Sequence, residues 1–491
     1  MKRLTYSEFT ALQGQGNVIP VYASYLADLS TPVSAFLQLQ AHSDQAFLLE
    51  SVEGSEKIAR FSFLGCDPYC TIEFSGNQII ENRLGQVSTL EGNIFDYLND
   101  LFSKYRTART SKLPRFTGGA VGYFGYETVR LLENIPPASD QEAGLPQALF
   151  MLFDTILAFD HFTHEVYIIK NVFLNEKSAS PKRQYEEALE KIELVKAKLE
   201  EPIEPAHDSL AKPADLSSNF EYGDFCRAVQ AAKDYITAGD IFQVVLSQRF
   251  QKEISLDPFH IYRALRVINP SPYLYYVKFG DNSIIGSSPE LLLRVEEGVA
   301  EVRPIAGTRR RGRDEAEDQQ LVQELRSDEK EIAEHVMLVD LGRNDVGRVC
   351  QYGSVEVTEF MEIEKFSHVM HLVSNVRGKL RHGVSAIDAL KACFPAGTVS
   401  GAPKIRAMEI ISELEPEPRG VYAGALGYLD FSGNLDTCIV IRTIVTQGKL
   451  AFFQAGAGIV ADSNPDREFN ETLEKASALK AAIEFAEGGL E

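Results

Sequence analysis

Cys438-Ile-Val-Ile-Arg-Thr-Ile-Val-Thr-Gln-Gly-Lys-Leu-Ala-Phe-Phe-Gln454 carries two strand signals in succession, 438–445 and 450–454. Both are rich in β-branched and aromatic residues, and no helical pattern separates them. Strands in consecutive runs point to antiparallel sheet and an α+β architecture. Upstream, Tyr273–Val277 and Ser283–Ile285 repeat the pattern, with helices expected near 221–238, 315–341, 384–393, 404–413 and 466–486. The first 199 residues hold more short strands, among them Ala46–Glu50, Thr71–Phe74 and Glu165–Ile169. Gly118-Gly-Ala-Val-Gly-Tyr-Phe-Gly-Tyr126 interrupts them, its glycines suited to tight turns and close backbone approach. An amphipathic helix then opens at Ser180 as N-cap and Pro181 as first helical residue. Residues 200–219, with three prolines and many small polar residues, read as a linker. Two domains follow from that boundary, 1–199 and 220–491.

The chain has 491 residues and a formal charge of −21, from 49 basic and 70 acidic side chains. That field repels phosphate backbones, so no nucleic-acid partner is expected. An anionic substrate would need local Arg, Lys or metal to reverse the sign. The six cysteines form no CxxC and no zinc-like spacing, which suits free thiols in a reducing, cytoplasmic compartment. The start of the chain lacks the apolar core of a secretory signal, and no window has the length of a membrane span. There is no tryptophan beside 29 Phe and 19 Tyr. Chance or lineage explains this, or a need to make the protein when tryptophan is scarce.

Two glutamate pairs stand out: Glu331 and Glu334, and Glu468 and Glu471. Residues three apart share one face of a helix. If the two helices face each other, four carboxylates converge, and a hard divalent cation such as Mg²⁺ is the natural compensation. The alternative is an ordinary solvated face, with Glu471 and Lys475 as a surface ion pair. Gly456-Ala-Gly-Ile-Val-Ala461 matches G-x-G-x-x-A, but the helix start falls later, at Asn464, so dinucleotide binding is not expected.

Six segments form an ordered set: Gly239–Arg249, Pro304–Arg309, Glu331–Asp345, His368–Ser374, Gly397–Lys404 and Phe453–Val460, the last running into the second glutamate pair. Together they closely resemble the chorismate-utilising enzymes, and among these the anthranilate synthase component I branch, across 220–485. The first 200 residues look like the N-terminal domain of the same family. The resemblance implies a two-domain α+β fold with large, mainly antiparallel sheets. It implies a lyase that takes chorismate and ammonia to anthranilate and pyruvate with Mg²⁺, the first committed step towards L-tryptophan. Carried over residue by residue, Glu334 and Glu471 are metal ligands, with Glu331 and Glu468 beside them. Glu331 is also a candidate acid for the leaving hydroxyl, and His371 the base for the ring proton. Arg442 and Tyr422 match positions that hold the enolpyruvyl carboxylate. Gly307, Thr308, Thr398, Lys475 and the backbone along Ala455, Gly456, Ala457 and Gly458 are further contacts. Their plain alternatives are turn chemistry, bulges, an ion pair and, for Arg442, an edge-strand charge.

Gln243 stands where isochorismate-forming relatives carry a water-activating Lys, and Ala306 where aminodeoxychorismate synthase relatives often carry a Lys nucleophile. Both departures leave ammonia as the expected nucleophile. No Gly-x-Cys-x-Gly elbow is present, so a separate glutamine amidotransferase subunit, and thus a hetero-oligomer, is expected. Leu48-Leu-Glu-Ser-Val-Glu53, with Ser51 at its polar position, and Asn269-Pro-Ser-Pro-Tyr-Leu274, with Pro272, Tyr273 and Leu274, resemble the family's tryptophan-binding segments. Feedback inhibition by L-tryptophan is the expectation, and simple interdomain packing the alternative. Within the family the runner-up is an aminodeoxychorismate synthase component I; a non-catalytic tryptophan-binding subunit is the reading from a different class.

Overall fold

The computed structural model describes residues 2–51, 60–108, 110, 113–137, 144–174, 180–203, 215–365 and 369–490. Val52, Glu53 and His368 lie outside these residues, as does most of the 200–219 segment.

Two antiparallel sheets, of 13 and 12 strands, make up the body. They pack face to face, with Phe47 against Phe153 (ring centroids 4.7 Å apart) and Phe63 against Tyr428 (6.1 Å). Aromatic side chains of this size dominate the burial that drives the packing. Each sheet draws strands from both halves of the sequence. In the larger, Gln45–Glu50 pairs with Tyr273–Phe279, Leu274 opposite Glu50. In the smaller, Gly119–Phe124 pairs with Ala425–Asp430, Gly122 opposite Gly427. The 200–219 segment is therefore no seam between separate sheets. Its described end, Ser217–Ser218, itself pairs with strand Gln243–Glu253.

The opening stretch folds differently from one continuous strand. Leu435–Ile439 belongs to the smaller sheet and Thr443–Gln447 to the larger. Between them Arg442 sits at φ 49°, in the left-handed region that turns the chain from one sheet to the other. The hydrophobic pattern marks both strands but not the crossover, because both are buried.

The expected helix 315–341 is two helices, Glu315–Ser327 and Glu329–Gly347. Asp328 interrupts them in extended conformation and caps the second, accepting from the backbone N–H of Lys330 (3.1 Å) and Glu331 (3.2 Å). Helix Pro465–Glu487 starts where the sequence places it, with Asn464 accepting from the Arg467 N–H at 3.1 Å. The Gly456–Ala461 motif stays in strand Leu450–Ile459 and the turn after it.

A buried ion pair ties the larger sheet to the loop before Tyr422. Glu415 accepts from Arg419 Nη2 (2.6 Å) and Nε (2.8 Å), and from the Ser247 N–H (2.8 Å) and hydroxyl (2.8 Å). Arg419 also donates to the carbonyls of Val399 and Val245, each at 2.7 Å. Arg419→Met strands the Glu415 carboxylate in the interior and is expected to cost about 3–5 kcal/mol in denaturant unfolding. A loss under about 1 kcal/mol would mean water reaches the pair.

Candidate active site

One site gathers residues from several separate segments of the chain. Strands Ile305–Arg310 and Val369–Lys379 pair with a register shift at Gly307, whose φ of 67° lifts the chain out of the ladder. A Cβ at 307 would lie 3.0 Å from Leu325 Cδ1 and 3.2 Å from Glu331 Oε2, tight contacts added to the strain of the positive φ. Across the same bulge, His371 Nδ1 lies 3.1 Å from the Gly307 carbonyl and 3.1 Å from the Thr308 hydroxyl. A carbonyl can only accept, so Nδ1 carries the proton and Nε2 is the basic nitrogen of the neutral ring. Burial lowers the His371 pKa from its ordinary value, with the Arg442 charge in the same direction, so the ring is neutral at physiological pH.

Arg442, at the crossover between sheets, also faces Glu290, which the sequence reading did not single out. Burial pushes the Glu290 carboxyl up to about 7, against the opposing pull of Thr398, Arg442 and Lys475. Thr398 and Lys475 are thereby placed beside Glu290, although the Thr398 hydroxyl is buried without a hydrogen bond in bonding geometry. Glu290 follows Pro289 at the end of strand Asn282–Ser288. A Ser-Ser-Pro-Glu run closing a strand was the available signal, since proline halts pairing and leaves the next side chain at the sheet's end.

The far wall is strand Leu450–Ile459 with helix Pro465–Glu487 behind it. Lys475 Nζ donates to the Gly456 carbonyl (3.0 Å) and pairs with Glu471 (2.7 Å). A Cβ at Gly456 would meet the Tyr422 hydroxyl at 2.8 Å, and one at Gly458 the Gln243 Nε2 at 2.7 Å. These glycines make room for both side chains. Ala455 and Ala457 alternate to the opposite face and are buried in the core, so they offer the cleft backbone only.

The two glutamate helices do approach one another. Burial raises the Glu334 pKa, and the charges of Glu331 and, across the cleft, Glu471 raise it further. Burial also raises Glu468, with Glu471 adding to it. Among the described residues, though, no three acidic, His or Cys side chains are drawn within reach of one cation. Glu331 accepts from Arg309 (3.2 Å), and Glu471 is held by Lys475. The donors are all carboxylate oxygens that repel one another, which fits a hard divalent cation, but closing on it requires exchanging these cationic partners.

A second, mainly apolar pocket lies between the sheets at the end of strand Gln45–Glu50. Ser51, Pro272, Tyr273 and Leu274 line it, with Arg294 and Asp436 opposite. Asp436 accepts from Tyr273 (3.0 Å) and Arg294 (3.0 Å). Among the described residues the buried Ser51 hydroxyl has no partner, an arrangement that costs free energy unless a ligand completes it.

The chorismate binding enzyme family matches residues 44–481, and the chain belongs to this family. Its near-full-length relatives narrow the assignment to one branch. It is 51% identical over 490 residues to anthranilate synthase component 1 of Acetivibrio thermocellus, covering 98% of each chain. It is 49% identical to that of Synechocystis sp., covering 97% of this chain and 98% of the relative. The solved anthranilate synthase component I of Streptococcus pneumoniae superposes with a TM-score of 0.78 at 41% identity, over 93% of this chain and 98% of that one. The menaquinone-specific isochorismate synthase of Escherichia coli shares the fold, with a TM-score of 0.72 at 18% identity, over 97% of this chain and 98% of that one.

Proposed function

We propose that the chain is component I of an anthranilate synthase, converting chorismate and ammonia to anthranilate and pyruvate. What carries the reading is a carboxyl raised to about 7, Glu290, and a neutral imidazole base, His371, both near enough to Arg442 to feel its charge. The reaction needs both. As ammonia adds to the ring, a hydroxyl must leave, and hydroxide leaves only if protonated; Glu290 supplies that proton. In the second step His371 takes the ring proton, the enolpyruvyl C–O bond breaks and the ring becomes aromatic, and the side chain leaves as the enolate of pyruvate, which takes up a proton at its methylene carbon to become pyruvate. Arg442 holds the enolpyruvyl carboxylate, since a guanidinium binds a carboxylate through paired donors. Lys475 and the backbone at Gly456 and Gly458 hold the ring carboxylate. Glu331, the other candidate acid, accepts from Arg309 at 3.2 Å, which favours its charged form.

Glu334 and Glu471 would hold Mg²⁺, with Glu331 and Glu468 beside them. Bound there, the ion supplies Lewis-acid polarisation of the ring carboxylate and fixes the ring. Neither Gln243 nor Ala306 offers an amine to compete with ammonia as nucleophile. Ammonia comes from a glutamine amidotransferase partner, so the pure chain is expected to turn over with ammonium and not with glutamine. Glutamine-driven turnover by the chain alone would contradict the reading.

L-Tryptophan is the proposed occupant of the Ser51 pocket and a feedback inhibitor, its polar end completing the Ser51 hydroxyl. Ser51→Ala is expected to raise the half-inhibiting tryptophan concentration about tenfold or more with kcat unchanged. A wild-type rate indifferent to tryptophan would remove this role.

A further inference from the structure

A third cavity, of about 300 Å³, opens on the outer side of the larger sheet under helix Pro181–Lys198. It lies apart from the catalytic cleft and shares no residue with the Ser51 pocket, although strand Phe61–Cys66 reaches both, through Phe61 and Phe63 at one end and Gly65 and Cys66 at the other. Its floor is apolar, with Leu39 and Leu157 buried beneath it and Val195 on the helix.

Three half-buried lysines line its walls, a local reversal of sign in a chain of charge −21. Lys170 is neutralised by Asp154. Lys198 is held only loosely by Asp67, at 3.8 Å. Lys191 has no ion-pair or hydrogen-bond partner among the described residues, although ammonium groups on a helix of this composition readily find i,i+4 carboxylates, as Lys182 and Lys196 do. The Cys66 thiol lines the same cavity as Lys191, Lys198 and Asp67. Burial and the neighbouring Asp67 charge push it up to about 11, and Lys198 and Lys191 oppose the rise.

We infer that this cavity binds a small organic anion with an apolar body, a carboxylate or phosphate monoester whose headgroup Lys191 and Lys198 hold while its hydrocarbon part lies on Leu157 and Val195. The volume matches the lower end of small-molecule sites. Two under-neutralised ammonium groups above an apolar floor are the complement of an amphiphilic anion, and neither inorganic phosphate nor a neutral hydrocarbon would use both features. The site is independent of the chorismate chemistry.

Cys66 reports on occupancy. The full chain is labelled with N-ethylmaleimide and the rate at each cysteine is read by peptide mass spectrometry, with phenylphosphate, benzoate or inorganic phosphate present. An aryl anion at about 1 mM, the affinity expected of so small a ligand, should slow labelling of Cys66 several-fold and leave Cys226 unchanged. Inorganic phosphate should protect much less, and the stronger of phenylphosphate and benzoate identifies the headgroup class. In the Lys191→Met, Lys198→Met variant protection should disappear, with chorismate turnover unaltered. If Cys66 labels too slowly to score, calorimetric titration of both proteins with phenylphosphate decides, the variant being expected to lose one binding event. Equal labelling with and without ligand, or equal heats in the two proteins, would overturn the inference.

Discussion

Glu290→Gln is expected to lower kcat with ammonium by about 10²–10⁴-fold while the KM for chorismate changes little. The amide keeps the size and part of the hydrogen bonding of the carboxyl but cannot give up a proton to the leaving hydroxyl. The pH profile separates this from simple damage to the fold. In the wild type Glu290 must be protonated, so the rate measured at constant free ammonia should fall about tenfold per pH unit above about 7. On the acid side His371 must be neutral. Its pKa lies below its ordinary value, so the rate should fall only below about pH 6.5. Stability runs the other way in the variant. The folded protein holds the Glu290 proton more tightly than the unfolded chain. Its contribution is therefore full below the ordinary carboxyl pKa and lost as pH rises through about 7. Above pH 8 the glutamine variant should thus be at least as stable as the wild type while remaining far slower. A variant that is both slow and unstable at that pH would assign Glu290 a packing role.

The second large effect is expected at the facing glutamates. Glu334→Gln with Glu471→Gln should reduce turnover by about 10³-fold or more, the equivalent of about 4 kcal/mol of transition-state stabilisation. The effect is electrostatic. Glu334 is half-buried near Glu331 and Glu471, and burial and both charges destabilise its carboxylate. That cost is tolerable where a cation occupies the gap. A readout other than activity is available. Millimolar MgCl₂ should raise the melting temperature of the wild type, because an ion that binds only the folded state stabilises it by mass action. The double variant should not respond. The variant alone should be no less stable than the wild type in metal-free buffer, since two repelling charges are gone. Equal melting shifts in the two proteins would place the cation elsewhere.

Much of this was legible in the sequence for local reasons. Asn464 with Pro465, and Ser180 with Pro181, mark helix starts through capping that needs no tertiary context. The spacing of Glu331 and Glu334, and of Glu468 and Glu471, sets their helix faces, though not which partner each carboxylate takes. The surface-pair alternative for Glu471 and Lys475 is in fact formed, while Lys475 also reaches the Gly456 carbonyl inside the cleft. What escaped depends on long-range topology. A run of buried β-branched residues looks the same whether it stays in one sheet or crosses to another, so the turn at Arg442 was invisible. The proline-rich stretch at 200–219 breaks the local pattern, but composition does not report which strands pair, and both sheets take strands from either side of it. Glu290 was missed because its chemistry comes from burial beside Thr398, Arg442 and Lys475, residues more than a hundred positions away.

The identity of the product separates anthranilate formation from the other reactions of chorismate. The pure chain is incubated with chorismate, MgCl₂ and ammonium, and products are separated and identified by mass and fluorescence. Fluorescent anthranilate and pyruvate in equal amounts, each matching the chorismate consumed, are predicted. A product that keeps the enolpyruvyl group, whether isochorismate or aminodeoxychorismate, with no pyruvate released, would contradict it.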